Sequence, residues 1–118
     1  MRIPVIIDCD PGHDDAIALL LAFASDRLEV KAVTVVAGNQ TLPKTLNNAL
    51  RVLSFAGVKC EVAAGAAAPL VRPLVTAPQV HGESGLDGPA LPEPAFGPSR
   101  RPAWEAIIDI VRNSPQKV

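Results

Sequence analysis

Residues 3–15 run Ile3-Pro4-Val5-Ile6-Ile7-Asp8-Cys9-Asp10-Pro11-Gly12-His13-Asp14-Asp15, and their reading decides the fold. Ile3 to Asp8 is a short, nearly continuous apolar run rich in β-branched residues, a length that suits a buried strand rather than a helix. Pro4 is tolerable there, because a strand's first residues need not all donate to the ladder. Pro11-Gly12 then breaks the strand. From Asp14 the spacing predicts a helix, with Ile17, Leu20, Leu21 and Ala24 at i, i+3, i+4 and i+7 on one face.

Outward from this stretch the alternation repeats. Val30 to Val36 is a second β-branched run, closed by a Gly38-Asn39 turn. Thr41 is placed to cap a second helix, whose apolar face is Leu46, Ala49, Leu50 and Leu53 and whose C′ residue is Gly57. Cys60 to Ala64 reads as a third strand. Strand, helix, strand, helix, strand with short connections predicts an α/β fold with a parallel sheet and right-handed crossovers. Ligands in such sheets bind beyond the carboxyl ends of the strands. Two polar clusters fall there, Asp8 to Asp15 and Gly38-Asn39-Gln40.

From Ala66 to Pro102 the character changes, with eight of the twelve prolines and four of the eight glycines. A loop this long is often functional, and His81 to Gly88 is expected to close over a bound ligand. A third helix starts at Ala103, behind Pro102, with Trp104, Ile107, Ile108 and Val111 predicted on one face.

Composition narrows the function classes. At 118 residues and 48% hydrophobic content the chain can bury a core, and its aromatics are only Phe23, Phe55, Phe96 and Trp104. That aliphatic palette suits a layered α/β core. A net charge of −1 gives no reason to expect nucleic acid or an anionic membrane as partner. Cys9 and Cys60 make neither a zinc spacing nor a disulfide framework and read as free thiols of a reducing compartment. The opening residues lack a signal-peptide cleavage pattern, and no apolar run reaches the ~20 residues of a membrane span. A cytoplasmic protein is the expectation.

The chemistry lies in Asp8, Asp10, Asp14 and Asp15, four of the twelve acidic residues. Confining them without a cation would raise some of their pKa values. A hard divalent ion relieves that conflict, and an all-oxygen donor set suits Ca²⁺ or Mg²⁺.

Asp8-Cys9-Asp10-Pro11-Gly12-His13-Asp14-Asp15-Ala16 resembles the Asp-x-Asp-Pro-Gly-x-Asp-Asp-Ala signature of the inosine–uridine-preferring nucleoside hydrolases. Val36-Ala37-Gly38-Asn39-Gln40-Thr41, Ala64-Gly65 and His81-Gly82-Glu83-Ser84-Gly85-Leu86-Asp87-Gly88 agree with the same family in order and spacing. The resemblance implies a parallel-sheet, Rossmann-like nucleoside hydrolase fold, of which residues 1–118 are the amino-terminal part of a single domain. It implies Ca²⁺-dependent hydrolysis of the N-glycosidic bond of ribonucleosides to free base and ribose, in a homo-oligomeric enzyme. Asp10 matches the carboxylate that binds Ca²⁺ and serves as general base, and Asp15 the other amino-terminal Ca²⁺ ligand. Asp14 matches a ribose-binding residue, Asn39 a polar residue beside metal and sugar, and His81 a histidine at the pocket mouth. Asp8 is expected to orient the ligands from behind, and His13 occupies a variable position of no expected role. The family's remaining Ca²⁺ ligands and its leaving-group acid fall outside these residues. An alternative is therefore a non-catalytic fragment that binds Ca²⁺ or ribose. A haloacid-dehalogenase-like phosphatase also places Asp-x-Asp after its first strand, but follows the pair with Gly-Thr or Gly-Val where this chain has Pro11-Gly12.

Overall fold

A computed structural model describes every residue from Met1 to Val118. The elements run β1 (Ile3–Cys9), α1 (His13–Ala24), β2 (Leu28–Val35), α2 (Leu42–Phe55), β3 (Val62–Ala64), α3 (Pro78–His81) and α4 (Ala103–Asn113). The strands form one parallel sheet in the order β1-β2-β3. The α/β expectation holds.

Side chains alternate across the strands, so each strand feeds two different layers. Cys9, Val33, Val35 and Val62 face α1 and α2, where with Leu19, Ala49, Leu50, Val52 and Leu53 they belong to a core of eleven buried residues. On the other face, Ala63 meets Ala103 and Ala106 of α4 in a cluster of three. A register shift between Val5 and Ile6 leaves Lys31 opposite no partner, so β2 carries one extra residue.

The second helix follows the expected spacing: Thr41 holds the N-cap position, though without a side-chain capping hydrogen bond, and Ala49, Leu50 and Leu53 are buried with Leu46 half-buried. Gly57 follows its end at φ +70°, the left-handed conformation that stops helices at low cost in glycine. Three expectations are corrected. In α1 the buried residues are Ala16, Leu19 and Ala22, whereas Ile17 and Leu21 are 59% and 67% exposed. That helix is apolar on nearly every side, so periodicity could not choose its inner face, and small Ala16 and Ala22 allow the closer approach to the sheet. In α4 the inner residues are Ala103 and Ala106, and Trp104, Ile108 and Val111 point outward. The third strand begins at Val62 rather than Cys60, because only Val33 to Val35 of β2 pair with it. The long Pro-rich stretch also holds one helical turn, Pro78–His81, started by Pro78.

Both cysteines are free thiols. Burial and the nearby aspartates push Cys9 up to about 12, so it is an inert core residue.

Candidate active site

β1 and β2 end side by side, and the two polar clusters meet there. The Asn39 backbone N–H donates to Asp10 Oδ2 at 2.8 Å, and the Asn39 side-chain amide donates to the Asp10 carbonyl at 2.9 Å. This two-point grip sets the Asp10 carboxylate by its backbone and one oxygen, leaving Oδ1 outside that grip. It requires Gly38, since a Cβ there would lie 2.3 Å from Asp10 Oδ2.

The Asp10 backbone N–H in turn donates to Asp15 Oδ2 at 3.1 Å. Asp15 sits in the first turn of α1, where the helix dipole favours a carboxylate. Its pKa is nonetheless raised, first by burial and then by the charges of Asp14 and Asp10, against the lowering effect of the Asp10 N–H. A like-charged, part-buried pair is thus held together short of positive charge.

The four aspartates do not converge as one cluster, and no group of three or more His, Cys, Asp or Glu side chains is placed to hold a metal. Asp8 faces away along the sheet, its Oδ1 accepting from the Thr34 hydroxyl at 2.6 Å across the register. Asp14 is exposed at the helix start. Asp10 and Asp15 are the pair the fold brings together. Their donors are hard oxygens with a shortage of positive charge, which fits Ca²⁺ as two ligands of a larger set, short of the ~6–8 oxygens it takes.

His81 comes to the same place from 68 positions away. Its ring lies over Gly12, where a Cβ would stand 2.5 Å from His81 Nδ1 and 2.9 Å from the Asn39 amide. The His13 backbone N–H donates to His81 Nδ1 at 3.3 Å, and the two imidazoles stack with centroids 5.4 Å apart. His13 Nε2 lies 2.7 Å from the Asp87 carbonyl. His13 therefore has a structural task that its place in the motif did not suggest.

Residues 81–88 are seated against the starts of α1 and α2. Asp87 organises the turn from inside: its carboxylate accepts from the Ser84 hydroxyl and from the Ser84 and Glu83 backbone N–H groups, which holds its pKa below the usual range. Gln40 and Asn48, both buried, reach the segment from the body of the fold. Gln40 belongs to the polar cluster expected at this edge, whereas Asn48 did not stand out as functional in the sequence. The available signal was Asn48 itself, a polar residue interrupting the buried face of α2 between Thr45 and Val52.

The family described as inosine-uridine preferring nucleoside hydrolase matches residues 5–118 of this chain. The pyrimidine-specific ribonucleoside hydrolases RihA of Salmonella typhimurium and Klebsiella pneumoniae are 59% and 58% identical to it over its whole length. The chain spans 38% of the length of each of these curated relatives. Among solved structures, an inosine-guanosine nucleoside hydrolase superposes with TM-score 0.87 at 30% identity, over 99% of this chain and 36% of that one. The plant nucleoside hydrolase PpNRh1 gives 0.86 at 36% identity, over 98% of this chain and 37% of its own.

Proposed function

The chain belongs to the inosine-uridine preferring nucleoside hydrolase family, and from that premise we propose that it serves the hydrolysis of pyrimidine ribonucleosides to base and ribose. The two RihA relatives, at 59% and 58% identity, support the pyrimidine preference. The family match displaces the phosphatase reading of the Asp-x-Asp pair.

The observation that carries the mechanism is the grip of Asn39 on Asp10. With Oδ2 held by the Asn39 N–H, Oδ1 is the oxygen left to act as base. Asp10 and Asp15 would hold Ca²⁺, which when bound acts as a Lewis acid toward water. Asp10 takes a proton from the attacking water as its oxygen bonds to the anomeric carbon. The carbon–nitrogen bond breaks, and the base departs with the electron pair. Positive charge develops on the ribosyl ring in that step, and fixed carboxylates nearby stabilise it. Asp14, exposed at the helix start, and Asn39 hydrogen-bond the ribose hydroxyls. A deoxyribose would leave such groups unpaired, which is how the site demands ribose. His81 closes the mouth over Gly12.

Calorimetric titration tests the metal assignment. Asp10→Asn and Asp15→Asn should each weaken Ca²⁺ binding at least about tenfold, and unchanged affinity in both variants overturns it. For the substrate, the protein that carries this chain should release reducing sugar from uridine and cytidine faster than from inosine. Equal or reversed rates would reject the pyrimidine preference.

A further inference from the structure

The segment that carries His81 touches the rest of the fold through main-chain carbonyls, each met by a different side chain. Gln40 Nε2 donates to the Gly82 carbonyl at 3.3 Å, Lys44 Nζ to Glu83 at 2.5 Å, and Asn48 Nδ2 to Ser84 at 2.8 Å. One of these donors does more than hold the segment. Asn48 Nδ2 also donates to the Pro11 carbonyl at 3.2 Å, in the turn between Asp10 and the start of α1. An amide nitrogen has two hydrogens, and here they are divided between two loops. The donor is 2% exposed and Pro11 is buried, so the Pro11 carbonyl has little access to water as a substitute partner.

From this geometry we infer that Asn48 is a positioning residue: its amide ties the Asp10–Pro11–Gly12 turn to the Ser84 turn and so keeps His81 stacked over Gly12 and His13. The inference rests on the functional reading above only in taking His81 as part of the nucleoside site. The segment's own chemistry fits the clamp. Gly85 stands at φ +82°, and a Cβ there would meet Asn48 Nδ2 at 3.0 Å. The loop can reach the amide only because that position is glycine. An apolar residue at position 48 would suit the neighbouring Ala49 and Val52, yet it would take the donor from the buried Pro11 carbonyl and the half-buried Ser84 carbonyl at once. Gln40 and Lys44 each hold one carbonyl of the segment and none of the Asp10 turn, so they cannot couple the two loops.

Two substitutions test the clamp from opposite sides. Asn48→Ala removes the donor from the body of the fold, and Gly85→Ala pushes the loop off Asn48 and the adjacent Gln40 while leaving the donor in place. Each is followed by hydrogen exchange and by the nuclear Overhauser contact between the His13 and His81 rings. In both variants exchange in residues 82–87 should accelerate at least about tenfold, and the inter-ring contact should vanish. Exchange in β2 and in the second half of α2 should stay at the parent rate. Retention of the inter-ring contact in Gly85→Ala overturns the inference, as does acceleration spread evenly over the whole chain. If Asn48→Ala fails to fold, Gly85→Ala alone decides. Neither measurement contains nucleoside or metal, so a failed Ca²⁺ titration would leave the clamp standing, and a failed clamp would leave the carboxylate pair standing.

Discussion

The two faces of the sheet are held by different physics. The face under α1 and α2 is an aliphatic core in which Leu19, Val33, Val35, Leu53 and Val62 are fully buried. The face under α4 rests on three alanines, and a polar network does the rest of the holding. Arg101, just before α4, donates through two of its nitrogens to the two oxygens of Glu61, just before β3, and through the third to Asp109 on α4. The Ser99 hydroxyl adds a donor to Glu61 at 2.6 Å. One face is stabilised by area removed from water, which is indifferent to pH. The other depends on charges that are not. An α/β fold with helices on both faces of its sheet thus need not spread its stability evenly over the two faces.

The largest break in this comparison should come from Leu53→Ala, which empties a fully buried site of the aliphatic face. A loss of about 2–5 kcal/mol is expected from transfer and cavity together, read by urea denaturation. A loss below about 1 kcal/mol would mean that this face is not the main source of stability. Next in size is Ala106→Leu on the other face. Ala106 is fully buried against Ala63, and α4 approaches so closely that extra methylenes must push it away. Overpacking should cost about 1–3 kcal/mol. A neutral or stabilising result would show that the α4 face has room to grow a core of its own.

The smallest effect, and the most informative about mechanism, is that of Glu61→Gln. The Arg101 guanidinium holds the Glu61 pKa below its ordinary value, against a smaller opposing effect of burial. A carboxylate depressed in the folded state contributes stability that is present above its unfolded pKa and lost as pH falls through its folded one. The parent should therefore exceed Glu61→Gln in Tm at pH 7, with the difference shrinking below about pH 4. A difference that does not change with pH would remove the charge network from the account of this face.

How much of this was legible in the chain differs element by element. The order of strands and helices, the Thr41 cap, the Gly57 stop and the buried face of α2 follow from local spacing. So does the place of the carboxylates, because a turn after a buried strand puts whatever follows at the ligand-binding edge of a parallel sheet. The pairing inside that cluster was not legible. Alternation along a strand groups Asp8 with Asp10, yet the register of β1 on β2 gives Asp8 to Thr34, while Asn39 grips Asp10 and the Asp10 backbone N–H holds Asp15.

What the amino-acid order determined by itself is therefore everything set by neighbours in the chain: element order, breaks, caps, and the end of the sheet where the aspartates sit. The tertiary structure alone decided which sides of α1 and α4 face inward, since both offer more apolar surface than the sheet can cover. It also decided that His13 and His81 stack, and that one amide of α2 serves two loops. Those contacts join residues 36 to 68 positions apart. At that separation no local periodicity carries information, and only the packing of the loops against the helix starts brings the groups within reach.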